Sequence, residues 1–224
     1  MTFRPCDKCN NGYVVTVGGS GIETATLCDC LRQERFRQRL LDANIHEAYH
    51  PYLSLGVKVP KMSREQRAVH LEVKDFVGNI SDRLSTGNGL YLYGPDRGTG
   101  KTTHLLIILR AALAAGHTAK NVHWSDFYGA MIHERAELNQ WMEVDALMLD
   151  EIGKEGVRPG NSEFPASTFE YVIRHRTSNG KSLFMASNME DEEMNSRYGT
   201  GIDSLLGDKI KPMPVHGVDW RRKS

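Results

Sequence analysis

Apolar positions follow two different rhythms along the chain. Val69, Val73, Phe76, Val77, Ile80 and Leu84 recur at three- and four-residue spacing, which predicts one helix from Ser63 onwards. Ser63 and Gln66 fit a capping box at its start, and Thr86-Gly87-Asn88-Gly89 ends it. Leu90–Tyr93, Val144–Leu149 and Ser182–Ser187 are short apolar runs of the kind that form buried strands. A short strand is predicted over Val122–Trp124. Helices are predicted over Thr102–Ala115, closed by Gly116, over Asp126–Met142 and over Phe169–Thr177. Strands alternating with helices predict an α/β domain with a mostly parallel sheet.

The first sixty residues read differently. Gly12–Val17 and Ile22–Leu27 flank Gly18-Gly19-Ser20-Gly21 and predict a β-hairpin. Leu31–Ile45 reads as a charged helix carrying Leu31, Phe36, Leu40 and Leu41. His46–Pro60, with Pro51, Gly56 and Pro60, reads as an extended linker. The expected organisation is a module over 1–45, a linker over 46–60 and a larger domain over 61–224.

The chain has 224 residues, with 28 basic and 28 acidic side chains. Zero net charge excludes a protein that holds nucleic acid by bulk positive charge. With 40% hydrophobic and 25% charged residues the composition is that of an ordinary globular protein. There is no apolar run of ~18 residues to span a membrane. The opening MTFRPCDKC lacks the apolar stretch of a secretory signal, so a cytoplasmic location is expected.

Tyr91–Thr103 reads YLYGPDRGTGKTT, a strand, a glycine-rich turn and then a helix. Glycines let backbone N–H groups face phosphates, and the helix N-terminus adds partial positive charge. Candidate nucleotide-binding residues are Gly94, Gly98, Thr99, Gly100, Lys101, Thr102 and Thr103. Lys101 would reach the terminal phosphates and the Thr102 hydroxyl would ligate Mg²⁺. The usual spacing G-x4-G-K-[ST] places Pro95 where its first glycine belongs. Gly94 lies one residue further away, so the loop carries one extra residue.

Ala146–Gly153 reads ALMLDEIG, an apolar strand ending in two carboxylates. Asp150 would hold the Mg²⁺ shell, and Glu151 would orient or activate an attacking water. Asn188 follows the strand SLFMAS, at the end where ligands bind in such sheets, and would reach the γ-phosphate or position the water.

All four cysteines fall at Cys6, Cys9, Cys28 and Cys30. Two short thiolate knuckles on either side of a hairpin make a zinc-ribbon-like layout, and four thiolates leave no open position on the metal. The ligands alone also admit an iron–sulfur cluster, which spectroscopy distinguishes.

GTGKTTHLL, LMLDEIG and FMASN together resemble Walker A, Walker B and sensor 1 of the AAA+ ATPases. Within them the chain is similar to the DnaC/DnaI type of bacterial replicative helicase loader. CDKCNNGYVV…CDCLRQERFRQRLLDANI resembles the zinc-binding segment preceding the ATPase domain in the DnaI-like and phage branches. The resemblance implies a P-loop AAA+ three-layer parallel sheet, preceded by the zinc-ribbon-like module and helix. Thirty-six residues follow Asn188, too few for a C-terminal helical lid domain. The resemblance also implies ATP, Mg²⁺ and Zn²⁺ as cofactors, with Lys101 and Thr102 on the nucleotide, Asp150 on magnesium, Glu151 catalytic and Asn188 as sensor 1. Its expected partners are a hexameric replicative helicase, single-stranded DNA and further copies of the chain. The family's arginine near a Ser-Arg-Leu segment has no counterpart here, because the stretch reads Ser204-Leu205-Leu206. Arg197 is the nearest substitute, and Arg221-Arg222 is another candidate for facing phosphate. An IstB-like transposition helper and a nucleotide-binding adaptor with little hydrolysis remain as alternative readings.

Overall fold

The computed structural model describes residues 5–56, 61–133, 136–155, 163–199 and 201–221. The chain divides into two compact units, Met1–Ala43 and Asn44–Ser224.

In the first unit β1 (Tyr13–Val17) and β2 (Glu23–Leu27) form the expected antiparallel hairpin, with Tyr13 opposite Leu27 and Val17 opposite Glu23. The glycines at 18 and 21 close its turn, Gly18 N–H donating to Ile22 O at 2.9 Å. Helix α1 (Asp29–Asp42) follows directly. A Cβ on Gly12 would sit 2.6 Å from the Leu31 side chain, so glycine there lets the hairpin close on the helix.

The second unit is a five-stranded parallel sheet in the order β4-β5-β6-β3-β7. Its strands are β3 (Gly89–Tyr93), β4 (Ala119–His123), β5 (Ala146–Ile152), β6 (Ser182–Ser187) and β7 (Ile210–Pro214). The three central strands are almost wholly buried, as their continuous apolar runs require of a sheet covered on both faces. Side chains alternate between the layers. Tyr91, Leu147, Leu149, Leu183 and Met185 share a core with Trp124 and Phe127 of α5 (Trp124–Ile132) and with Phe169, Val172 and Ile173 of α7 (Glu163–Ser178). Phe184, between Leu183 and Met185, meets Phe76 of α2 (Arg64–Gly78) edge-on at 5.3 Å, in the layer shared with α4 (Lys101–Ala114). This is the expected three-layer α/β arrangement.

Several elements differ from their sequence-based expectation. The helix from Ser63 breaks at Asn79, where α3 (Ile80–Ser85) begins, and the Asn79 amide turns back onto Asp75. The helix expected over 126–142 is two, α5 and α6 (Glu137–Glu143). Trp124, expected in a strand, opens α5. Strand β4 begins three residues earlier than its apolar signal, because an edge strand tolerates Lys120 and Asn121. Residues 46–52, expected as linker, include a 3₁₀ helix over Glu47–Tyr52, and Leu53 is buried. Pro60 lies outside the described residues. The helices α8 (Asp191–Tyr198) and α9 (Ile202–Leu206) and strand β7 had no expectation. Strand β7 holds Pro212 and Pro214, which only an edge position accommodates. No helix among the described residues is long and apolar enough to cross a membrane.

A buried cation ties the layers together. Arg176 of α7 is fully buried and donates to Met142 O at 2.8 Å, Ser182 O at 2.5 Å and Asp145 O at 3.3 Å. Burial lowers its pKa to about 10, which leaves it protonated at neutral pH. Arg176→Met is expected to destabilise the protein by about 3 kcal/mol, because it strands buried carbonyls. A urea midpoint unchanged from wild type would refute this role.

Candidate nucleotide and metal sites

Gly94, Gly98 and Gly100 all carry positive φ, at 128°, 72° and 93°. These left-handed turns are glycine's territory and bend the loop around the N-terminus of α4. Lys101, the first residue of α4, is buried and donates to Gly94 O at 2.7 Å and Asp96 O at 2.8 Å. Burial lowers its pKa to about 8, against the opposing pull of Asp96, Asp150 and Glu190. Thr99 is buried beside it, and Thr103 is half-buried one turn along.

The acidic strand meets this loop. The Thr102 hydroxyl donates to Asp150 Oδ1 at 3.2 Å, across from α4 to β5. Pairing between β5 and β6 shifts register between Leu149 and Ile152, and Glu151 takes a left-handed φ of 60°. Such a bulge re-aims side chains that strict alternation would send to opposite faces. Asp150 is buried, and that burial raises its pKa. The Glu151 carboxylate is partly exposed, accepting from Lys154 Nζ at 2.5 Å and lying 3.8 Å from His123 Nδ1. Asn188 is half-buried directly after β6, whose Ser187 hydroxyl donates to Ile152 O at 2.9 Å. The paired hydroxyl and carboxylate of Thr102 and Asp150 are hard oxygen donors, the chemistry that suits Mg²⁺.

Arg197, on α8, is engaged within its own chain. It donates to Glu155 Oε1 at 2.7 Å and to Glu155 O at 2.9 Å, while Tyr198 donates to the same carboxylate at 2.6 Å. Lys209, just before β7, and Lys211, within it, are likewise used internally, on Thr86 O and Glu72. Arg222 lies outside the described residues.

Sequence reasoning missed His123, which only the pairing of β4 with β5 sets opposite Asp150. It read Gln66 as a cap alone. The capping box is present, yet the Gln66 amide also donates to Thr99 O at 3.3 Å and Val218 O at 2.9 Å.

In the N-terminal unit the four sulfurs of Cys6, Cys9, Cys28 and Cys30 lie within 4.8 Å of one another. Cys6 is 3.7 Å from both Cys9 and Cys28, and Cys9 is 3.5 Å from Cys30. A tetrahedron of zinc–sulfur bonds of about 2.3 Å sets sulfurs about 3.8 Å apart, so the donor set fits a closed four-thiolate site. A hydrogen bond from the Lys8 backbone, helped by Cys28 and Cys9, brings the Cys6 pKa down to about 7.

His104 of α4 supports the loop from beneath. Its Nδ1–H tautomer donates to Gly100 O at 3.0 Å, and its ring lies between His70 and Trp220. Burial lowers its pKa to about 4. The unfolded chain therefore binds more protons between about pH 6.5 and 4. Stability is expected to fall by roughly 3 kcal/mol as pH drops through that window. His104→Gln should flatten the profile in denaturant titrations, and an unchanged pH slope would remove His104 as its cause.

No family model matches the chain. Among curated proteins it is 23% identical over 219 residues to the phage-like element PBSX protein XkdC of Bacillus subtilis (strain 168), covering 93% of this chain and 79% of that protein. Among solved structures it is similar to the DnaC helicase loader, with a TM-score of 0.63 and 22% identity over 76% of this chain and 100% of the other. DnaI matches with a TM-score of 0.59 and 19% identity, over 76% of this chain and 93% of the other. The replication initiator DnaA, bound to AMPPCP and single-stranded DNA, matches with a TM-score of 0.58 and 20% identity, over 77% of this chain and 52% of the other. The chain thus shares the fold of the DnaC and DnaI structures.

Proposed function

We propose that this chain is an ATP-dependent loader of a hexameric replicative DNA helicase. The observation that carries the reading is the presence, in one chain, of a phosphate loop closed onto Asp150 and a four-thiol cluster in a separate N-terminal unit. The backbone of Gly94 and Gly98–Gly100 cradles the phosphates, and Lys101 exchanges its two loop carbonyls for phosphate oxygens. Thr102 and Asp150 hold Mg²⁺, which when bound neutralises charge on the phosphate chain. Thr103 completes the anion-binding turn of α4. Glu151 leaves Lys154 to accept a proton from water, and Asn188 orients that water against the γ-phosphate.

Serving a neighbouring subunit's ATP with Arg197 requires its ion pair with Glu155 to open. Self-association through the ATP site supplies the neighbour. Cys6, Cys9, Cys28 and Cys30 hold Zn²⁺ and give a module of this size its folding energy, and that module binds the helicase. Contact with single-stranded DNA comes from the assembled form, since the chain's own net charge is zero.

Co-purification with the cognate replicative helicase, with and without ATP and a zinc chelator, tests the reading. Wild type should hydrolyse ATP slowly and retain the helicase. Glu151→Gln should keep ATP binding and lose at least about a hundredfold in turnover. Cys6→Ser should lose zinc and the helicase while ATP binding persists. Protein that binds neither ATP nor a hexameric helicase would falsify the proposal. Recovery of a transposase in place of the helicase would favour the transposition-helper reading.

A further inference from the structure

The segment after β7 does not leave the domain. It runs back across the phosphate loop. Val215 N–H donates to Tyr93 O at 2.8 Å, Gly217 N–H to Asp96 Oδ2 at 3.0 Å and Trp220 N–H to Gly98 O at 2.9 Å. The Ser63 hydroxyl donates to His216 O at 2.6 Å, and the Gln66 amide bridges Val218 O to Thr99 O. Five backbone or side-chain bonds thus register residues 215–220 on the loop and on the start of α2. The extra loop residue is used here, since Asp96 is the loop's handle on this strap.

Approach is close enough to leave no room for a side chain at Gly98 or Gly100. A Cβ on Gly100 would lie 2.3 Å from the Trp220 ring. A Cβ on Gly98 would lie 1.7 Å from Asp219 Oδ1 and 2.7 Å from Arg221 Nε. The Trp220 ring N–H is buried with no partner among the described residues.

The charge balance at the loop points the same way. Lys101 has the Asp96, Asp150 and Glu190 carboxylates around it, and Asp219 adds another beside Gly98. A polyphosphate entering this field needs cations beyond one buried lysine. Besides the loop's own Arg97, Arg221 is a guanidinium at hand, its Nε lying beside Gly98. It donates to Asp219 Oδ1 at 3.1 Å and is 67% exposed, so its present ion pair is a weak one. Tyr49 senses both Arg221 and the acidic strand. Burial and the Asp150 and Glu151 carboxylates push the Tyr49 pKa up, and the Arg221 guanidinium pulls it down.

We propose that the strap Val215–Arg221 is the second wall of the nucleotide site, and that Arg221 exchanges Asp219 for the phosphate chain of a bound nucleoside triphosphate. The inference rests on reading Gly94–Thr103 as a nucleotide loop. A guanidinium suits the role because its fork binds two phosphate oxygens at once.

Calorimetric titration of the full chain with Mg·ATP tests it. Arg221→Ala should weaken ATP binding about tenfold, the loss of one charge-assisted contact. Arg221→Lys should recover part of it. The thermal midpoint without nucleotide should not move, because Arg221 is exposed. ATP should also change the tryptophan emission of wild type, and Trp220→Phe should abolish that change. Arg221→Ala binding within twofold of wild type, while Lys101→Ala binds nothing, would overturn the assignment. Wild type that binds no ATP overturns the loop reading beneath it.

Discussion

The glycine-rich loop over 94–100 is held by groups outside it, and much of the second unit is arranged around that fact. Three of its residues sit in left-handed backbone, and several of its carbonyls are taken by groups outside the regular helix and strand ladders. Lys101 takes two of those carbonyls from below, Gln66 takes a third from the start of α2, and the Trp220 backbone takes a fourth from the strap. A buried ammonium is costly unless it is hydrogen-bonded, so Lys101 and the loop stabilise one another. The loop's shape is thereby fixed before any ligand arrives.

The acidic strand answers a second constraint. Alternation along a strand would send Asp150 and Glu151 to opposite layers. Asp150 keeps the face of α4 and meets Thr102 there. Glu151 is re-aimed by the register shift and by its left-handed φ, a strain that the flanking pairing with β4 and β6 holds in place. The stored strain sits at the residue to which we assign proton transfer. Nearby, Glu155 gathers Gly153, Arg197 and Tyr198, which couples the end of β5 to α8.

The N-terminal unit solves a different problem with different chemistry. A hairpin and one helix bury too little apolar surface to be stable alone. Tyr13, Val15, Val17 and Ile22 stay exposed on the hairpin, and four thiols cluster at its base.

The buried strands and the motifs were legible because their signals are local. Apolar runs mark β3, β5 and β6, and glycines followed by Lys101-Thr102 mark a turn into a helix whatever surrounds them. The cysteine spacing likewise announced the cluster. Strand β4 was only half legible, since an edge strand needs few apolar residues, and β7 was hidden by two prolines that only an edge tolerates. His123 beside Glu151 depends on register between strands, and Glu155 with Arg197 depends on packing over forty-two positions of chain. The strap is the clearest case. Asp96, Asp219 and Trp220 read as loop and tail residues, far apart in sequence, and Arg221 as a candidate for facing phosphate with no position assigned. Local composition determined which groups this protein carries, whereas their convergence on one loop was decided only when parallel pairing set β7 beside β3 and delivered the chain's end to Gly98.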